Sequence, residues 1–304
     1  MGCMKHPILL YFLLTFVTAI SVGAQAPAPP KGGTLDTAAI DRALGKSGQM
    51  MPGDVYRVAF PRSDLNVTVG SVKVKPGFAL GGWAAFKANA AAAVAHGDLV
   101  LTDAEINPVI SALQQHGFQI TALHNHLINE TPSVMYLHFW GQGSAPELAS
   151  ALKDALSKTK TPMSAPPTPT ATTGASDDLP ADRIQQAIGL KGAVNNGVLG
   201  VSQPRPETIQ MMGVTLPPSM GMATSINFQS TGSGKVAATG DFVMSGDEVN
   251  KVARALRQHD IAITALHNHM LHGSPDLYFM HFWAEGDATA VANGLKAALA
   301  ELKK

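Results

Sequence analysis

The chain carries one sequence twice, and this internal duplication constrains its fold more than any other feature. The segment GDLVLTDAEINPVISALQQHGFQITALHNH at 97–126 matches GDFVMSGDEVNKVARALRQHDIAITALHNH at 240–269, at an offset of 143 residues. The match extends further towards the N-terminus of both copies. Each copy is long enough to be a domain, because domains run from about 50 to 250 residues. We therefore predict two tandem homologous repeats, at 35–157 and 179–304.

Three segments outside the repeats have compositions that do not favour a packed core. Within 1–24, Lys5 precedes the apolar run ILLYFLLTFVTAI and a small-residue pattern ending at Ala24, which predicts a cleaved signal peptide. The apolar run is shorter than the roughly 20 residues that a membrane-spanning helix requires. Residues 25–34 form a Pro-rich leader, and residues 158–178 are rich in Pro, Thr and Ala, which indicates an extended linker.

The charge balance and the cysteine content limit the ligands and partners that the chain is expected to bind. Charged residues make up 14% of the chain and the formal net charge is zero, so nothing predicts nucleic-acid binding, and a small molecule is the partner class left open. The single cysteine, Cys3, precedes the apolar run, so the mature chain is expected to have neither disulfides nor thiolate metal ligands. We predict an exported protein, periplasmic or secreted, without a stable membrane span once the signal is removed.

The second half of each repeat predicts the element order β-α-β-β-α. TDAE at 102–105 and SGDE at 245–248 are capping boxes, and apolar residues at helical spacing follow each of them. Pro108 leaves a later start, at Asn107, open for the first of these helices. A strand, a loop, a second strand and a closing helix come next in both copies. We predict the α+β class, with two repeats that each contain a ferredoxin-like half plus extra strands of unassigned pairing. Packing of the repeats on each other stays open.

Three histidines recur at the same spacing in both repeats. TALHNH occurs at 121–126 and 264–269, and a third histidine follows each copy within LHFW or MHFW. Alternate residues of a strand share a face, so the two histidines of HNH lie on one side, about 7 Å apart. A hairpin centred near residue 131, or 274 in the second copy, places the third histidine opposite the first. We predict a metal site in each repeat, formed by His124, His126 and His138, and by His267, His269 and His281.

A three-histidine set with one open coordination position is typical of catalytic zinc sites and also binds copper, iron or nickel. A divalent transition metal, zinc before the others, is the predicted cofactor. An enzyme of this kind would use the open position to activate water or to bind a substrate, but the catalytic residues stay unknown. Glu130 is a candidate base in repeat 1 only, because Gly273 stands at its place in repeat 2.

Two alternatives to a metalloenzyme of this kind stay open. Histidines inherited through duplication would fit a non-catalytic ligand-binding or structural envelope protein, although imidazoles are poor core fillers. HNHLINE also fits the opening of a cupin metal motif, which gives a bicupin-like metalloenzyme, although the flanking helices argue against an all-β barrel.

Other repeated residues have structural explanations. Arg62 and Arg205 follow a proline in both copies, and we expect each to pair with a carboxylate of the fold. Asp98 and Asp241 follow a glycine before a predicted strand, which favours a role in a turn.

The repeated string GDFV, EVN, ITALHNHM and HFW resembles the LppY/LpqO family of exported bacterial proteins. The resemblance covers both repeats and is close over 204–283, where PPSMGMATSINFQ also fits. It implies an exported envelope protein and transfers neither a reaction nor a catalytic residue. The chain departs from the lipoproteins of that family because it has no cysteine at the lipid-carrying position, so a lipid anchor is not expected.

Overall fold

A computed structural model describes residues 1–2, 34–90, 92–164 and 178–303. Most of the predicted signal peptide, of the leader and of the linker lies outside these residues, and all three stay predictions. Both repeats belong to one compact unit. Within the described ranges, no helix is long and apolar enough to cross a membrane.

Repeat 1 contains four helices and nine strands in its described part. Its helices are α1 (Thr37–Leu44), α2 (Pro76–Ala79), α3 (Asp103–Gln115) and α4 (Ala145–Leu156). Its strands are β1 (Gln49–Met51), β2 (Val55–Pro61), β3 (Thr68–Val69), β4 (Val72–Lys73), β5 (Gly81–Asn89), β6 (Ala92–Thr102), β7 (Gln119–His124), β8 (Glu130–Thr131) and β9 (Val134–Gly143).

Repeat 2 has the same order of elements, with a short 3-10 helix at Pro218–Met220 in place of α2. Its α-helices are α5 (Ala181–Ile188), α6 (Gly246–Gln258) and α7 (Ala288–Leu299). Its strands are β10 (Gly192–Asn195), β11 (Val198–Pro204), β12 (Ile209–Met211), β13 (Val214–Leu216), β14 (Ala223–Gly232), β15 (Lys235–Met244), β16 (Ala262–His267), β17 (Gly273–Ser274) and β18 (Tyr278–Asp287).

Each repeat forms an antiparallel six-stranded sheet, in the order β1-β2-β5-β6-β9-β7 or β10-β11-β14-β15-β18-β16. The α+β class and the duplication are therefore confirmed. In repeat 1, α3 connects β6 to β7 with β9 between them, and β5 from the first half is the other neighbour of β6. The ferredoxin-like description of the second half stays a prediction. Each sheet has two end strands, so the closed all-β barrel of a bicupin is not present among these elements.

Helices cover one face of each sheet. The capping boxes begin α3 and α6 as predicted, because the backbone N–H of Thr102 donates to Glu105 at 2.9 Å and that of Ser245 donates to Glu248 at 2.6 Å. Apolar residues of α1, α3 and α4 form one core with alternate residues of the sheet in repeat 1. The other face of that sheet is left for contact with repeat 2.

The two repeats pack on each other through crossed segments, which we call arm 1 (residues 65–80) and arm 2 (residues 206–222). Phe78 of arm 1 contacts Trp283 of repeat 2, with ring centroids 5.8 Å apart. Met211 of arm 2 belongs to one buried core with Trp83 of repeat 1. Each arm therefore covers the sheet of the other repeat, and the inner sheet faces enclose a space between the repeats.

Candidate metal centre

The register of each sheet places an aspartate opposite a histidine on the inner face. Asp98 in β6 lies opposite His138 in β9, and Asp241 in β15 lies opposite His281 in β18. The side chains of His138 and His281 are almost fully buried, whereas those of Asp98 and Asp241 are 11% and 15% exposed. The turn role expected for Asp98 and Asp241 is wrong, because both lie within strands and face the histidines.

The pairing of β7 with β9 differs from the predicted hairpin. His138 lies opposite Ala122, and His124 lies opposite Tyr136, so the pair expected to be opposite is offset by two residues. The connection is not a simple turn, because Glu130 belongs to β8, which pairs with β3. His138 and His124 still share the inner face, because an offset of two residues preserves the alternation of side chains.

The three histidines of each repeat converge as predicted. In repeat 1, the ring centroid of His124 lies 5.0 Å from that of His126 and 5.1 Å from that of His138. In repeat 2, the centroid of His267 lies 4.7 Å from that of His269 and 5.0 Å from that of the MHFW histidine. His126 and His269 lie two residues beyond the ends of β7 and β16, so strand alternation accounts for the shared face of the other four histidines only.

The two sets of histidines also meet each other, which the prediction of a separate site in each repeat did not include. The contact of His126 with His281 and that of His138 with His269 have the same distance between ring centroids and the same interplanar angle of 25°. An approximate two-fold axis therefore passes through the site. The ring contacts across it join His124 with His267 at 3.7 Å, His126 with His281 at 3.8 Å, and His138 with His269 at 3.8 Å.

We call the six histidines together with Asp98 and Asp241 the His/Asp cluster. The Oδ2 atom of Asp98 lies 3.8 Å from Nε2 of His126 and 3.8 Å from Nε2 of His138. In repeat 2, Asp241 lies 3.9 Å and 4.0 Å from the Nε2 atoms of the equivalent histidines. Ligand atoms bonded to one ion at about 2.0–2.2 Å lie roughly 3 to 4 Å apart, so these spacings suit coordination.

Burial controls the protonation of the cluster. Together with neighbouring imidazoles, it lowers the pKa of His124 to about 2 and that of His281 to about 3. It raises the pKa of Asp98 to about 8, against a lowering effect from Arg57. Nδ1 of His281 lies 2.9 Å from the carbonyl oxygen of Gly240, to which it donates as Nδ1–H. Nε2 then carries a free lone pair, as in a metal-ligating histidine held by an outer hydrogen bond.

The cluster contains most of the buried polar atoms that lack a hydrogen bond. Among the described residues, twelve buried side-chain nitrogen and oxygen atoms have no partner, and ten of them belong to the His/Asp cluster. Each such group costs about 1–3 kcal/mol, which a bound cation or water would offset. Two sets have ligand atoms within 4.8 Å of one another: His124, His126 and His138, and His124, His267, His269 and His281.

A cleft of about 700 Å³ reaches the cluster from between the repeats. Asp98, Asp241 and four of the six histidines line it, whereas His124 and His267 lie behind them. Glu130, the candidate base, does not line the cleft, and its carboxylate accepts a hydrogen bond from the backbone N–H of Val134 at 3.4 Å. The structure therefore gives no support to Glu130 as a base.

The arginines repeated in both copies form ion pairs, as expected. Arg62 donates to Glu105 at 2.7 Å, and Arg205 donates to Glu248 at 2.7 Å. Both glutamates also cap their helices, so they have a second role that the capping boxes alone did not reveal. The pairs support the fold and contribute no ligand to the cluster.

Sequence reasoning missed Asp98 and Asp241 as members of the site. The signal was present in the repeated Gly-Asp dipeptides, since both aspartates occupy equivalent positions of the duplication. It also missed His96, whose ring stacks on that of His138 with centroids 5.8 Å apart. Thr239 occupies the equivalent position in repeat 2, so His96 had no repeated partner to reveal it.

Comparisons with known proteins identify a family for both repeats. The model described as Domain of Unknown Function (DUF1259) matches residues 38–158 and 182–301. EtuB from Clostridium kluyveri is similar at 10% identity over 83% of this chain and 88% of its own, with a TM-score of 0.22. The trimeric bacterial microcompartment shell protein PduB is similar at 12% identity over 83% and 89%, also with a TM-score of 0.22. These scores are too low to support an argument. The search of curated proteins gives no significant match.

Proposed function

The chain belongs to the family described as Domain of Unknown Function (DUF1259), and since that description assigns no activity, we propose a function from the site itself. The protein is a metalloprotein that holds a divalent transition metal in the His/Asp cluster. The observation that carries this proposal is the convergence of six histidines and two aspartates, whose buried polar atoms lack hydrogen-bond partners. Packing alone does not account for such a set, because apolar residues would fill the same space at lower cost.

The donor set fits a transition metal. In each repeat, two histidines and one aspartate face the cleft, and the remaining histidines, His124 and His267, lie between the two sets. Neutral imidazoles with carboxylates suit zinc first, and also copper, iron and nickel. A metal held there with a position open to the cleft would act as a Lewis acid towards a small molecule. No residue is assigned a catalytic role, so a non-catalytic binding function is equally compatible with this proposal.

Metal analysis of the purified protein tests the proposal. We expect about one or two equivalents of zinc, copper, iron or nickel per chain by inductively coupled plasma mass spectrometry. The double variant His126→Ala/His269→Ala should lose this metal, because it removes a ligand from both halves of the cluster. The control is His116→Ala/His259→Ala, which changes equivalent histidines at the ends of α3 and α6.

The result that contradicts the proposal is a folded wild-type protein that contains no metal and takes up none of the four ions when they are added. Equal metal content in the two double variants would contradict it as well. Circular dichroism of both variants shows whether the fold is retained. A stable, metal-free protein would leave the non-catalytic ligand-binding or structural alternative.

We also propose that the protein acts outside the cytoplasm, in the periplasm or after secretion. The support is the sequence of residues 1–24, together with the resemblance to the LppY/LpqO family, which stays a prediction. N-terminal sequencing of protein recovered from the extracytoplasmic fraction should begin at Gln25. An intact N-terminus on protein found only in the cytoplasm would contradict export.

A further inference from the structure

The cleft that reaches the His/Asp cluster has different walls in the two repeats. Trp83 lies opposite the cluster aspartate of repeat 1, and Ser225 lies opposite that of repeat 2. Arg57 of β2 lines the cleft, whereas Gly200 stands at the equivalent position of β11. The metal ligands are therefore duplicated, but one side of the cleft is cationic and aromatic while the other is small and neutral.

Arg57 is held in place without being neutralised by an ion pair. Its guanidinium carbon lies 4.1 Å from the ring centroid of Trp83, and Nη1 donates to the carbonyl oxygen of Ser219 at 3.2 Å. Among the described residues, no carboxylate lies within ion-pair distance of Arg57, and its other guanidinium nitrogens donate no hydrogen bond. Burial lowers the pKa of Arg57 to about 10, against a raising effect from Asp98, so the side chain is cationic at neutral pH.

The cationic wall contrasts with the other buried arginines. Arg62 and Arg205 each bind two carboxylates within the fold, so their guanidinium groups are fully occupied. Arg57 instead lines a cleft of about 700 Å³, a volume within the usual range of small-molecule sites, and has guanidinium donors left unpaired. A guanidinium fork recognises planar or tetrahedral oxyanions through paired hydrogen bonds.

We propose that the cleft binds a small organic oxyanion, whose charged group pairs with Arg57 and whose apolar body lies against the aromatic and proline side chains of the cleft. These side chains are Phe78, Trp83, Pro217 and Pro218. The ligand then enters in one orientation, since repeat 2 offers no cation at Gly200. That the far end of the ligand meets a metal rests on the proposed function, whereas the pairing at Arg57 does not.

Isothermal titration calorimetry with benzoate and phenyl phosphate tests this site on the purified full chain, in zinc-loaded and chelator-treated forms. We expect at least one of these anions to bind, and Arg57→Met to weaken its binding by about tenfold or more, because a charge-assisted pair is lost. The comparison of the two anions shows whether a carboxylate or a phosphate is preferred. Benzamide, the neutral analogue of benzoate, should bind more weakly than benzoate.

Arg254→Met is the matched control, because Arg254 is exposed on α6, away from the cleft. It should bind the anions as the wild type does, and Arg57→Lys should keep part of the affinity. Thermal unfolding of each variant checks that it is folded. The proposal is overturned if neither anion binds, if Arg57→Met binds as tightly as wild type, or if benzamide binds as tightly as benzoate.

Metal content separates this inference from the proposed function. Arg57→Met should keep the metal of the wild type, because Arg57 is not a ligand. Anion binding that depends on Arg57 in a protein without metal would support the inference and contradict the proposed function. A metal-loaded protein whose anion binding does not change in Arg57→Met would support the proposed function and contradict the inference.

Discussion

At the scale of single residues, the burial of two carboxyl groups distinguishes the His/Asp cluster from an ordinary protein interior. Asp98 and Asp241 are carboxyl groups held among imidazoles, and burial raises both of their pKa values. Such groups destabilise a metal-free fold, and sites of this kind are typically functional. Removing one carboxyl group should therefore weaken metal binding without harming the fold.

We expect Asp98→Asn to weaken zinc binding by about 10- to 100-fold or more, as loss of a supporting or direct ligand does. Without metal, folded Asp98 keeps its proton up to a pKa of about 8, whereas unfolded Asp98 loses it near 3.8. The contribution of Asp98 to the free energy of unfolding thus falls as pH rises between these values. In the Asp98→Asn variant this loss of stability with rising pH is absent, because Asn does not titrate. Burial lowers the pKa values of the cluster histidines, so their effect on stability has the opposite dependence on pH. This effect is present in both the wild type and the variant and does not alter the comparison.

Urea unfolding of chelator-treated protein at pH 5 and pH 8 measures this difference, and zinc titration measures the affinity. Asp103→Asn, at the start of α3, is the control for loss of one carboxylate. An Asp98→Asn variant that keeps full zinc affinity would remove this residue from the ligand set. One that is less stable than wild type at pH 8 would contradict the pKa argument.

The sequence could identify the histidines, because three residues of one type recur at one spacing in both repeats. It could not identify Asp98 with equal ease, because a Gly-Asp pair before a strand is also typical of a turn. It gave no means of placing His126 against His281, since that contact depends on how one sheet faces the other. The histidines of the cluster were thus predictable, whereas its aspartates and the grouping of the two sets were not.

At the scale of elements, one glutamate in each repeat joins three parts of the chain. Glu248 caps α6, pairs with Arg205 immediately before arm 2, and accepts from the backbone N–H of Lys303 after α7 at 2.7 Å. Glu105 makes the equivalent contacts in repeat 1. The position of each arm over the opposite sheet therefore depends on a helix N-terminus.

We expect Glu248→Gln to lower the free energy of unfolding by about 1.5–3 kcal/mol at pH 7, since it removes one of the two carboxylates that pair with buried Arg205. Burial raises the pKa of Glu248, but hydrogen bonds from Arg205 and from the backbone of Lys303 and Ser245 lower it to about 2, against 4.5 when unfolded. The stabilisation by Glu248 is therefore complete above pH 4.5 and is lost as pH falls towards 2. The difference between the two proteins should narrow over that range.

Urea unfolding at pH 7 and pH 3 checks this expectation, with the exposed Glu301→Gln as a control. A difference that stays the same at both pH values would show that Glu248 does not act through its charge. Unchanged stability of the variant at pH 7 would show that the contacts among α6, arm 2 and the end of the chain are not needed.

Elements with local signals were predictable from the sequence, and their pairing was not. The helices α3 and α6 carry capping boxes and apolar residues at helical spacing, so their existence and starts are as predicted. The register of β7 on β9 is offset by two residues, because β8 takes part in another sheet. The strands of the first half join the main sheet through the tight β5–β6 hairpin, in which Asn89 pairs with Ala92. The sequence analysis left the pairing of these strands unassigned.

At the scale of the whole molecule, the repeats form one body whose centre is shared. Two of the buried cores combine residues of both repeats, and the His/Asp cluster lies on the approximate two-fold axis between the sheets. The duplication was evident from the sequence. The mutual packing was left open, because the apolar residues of the arms do not reveal which sheet they cover.

Cutting the chain between the repeats should leave them associated. We expect a protein with a protease site introduced within 165–177 to elute at its original volume after cleavage, because the crossed arms bury apolar side chains of both halves. Size-exclusion chromatography with gel electrophoresis of the cut chain measures this, and metal content should not change. Two separate half-size species would contradict the shared cores.

The different residues at Arg57 and Gly200 have a consequence for symmetry. A homodimer of identical half-length chains would repeat any substitution on both sides of its axis, so a guest on that axis could bind in two equivalent poses. Covalent fusion removes this restriction, because each half can acquire its own side chains while the pair keeps the shared His/Asp cluster. The single chain thus has a cleft that is cationic on the side of repeat 1 only, although the cluster behind it is formed by equivalent residues of both repeats.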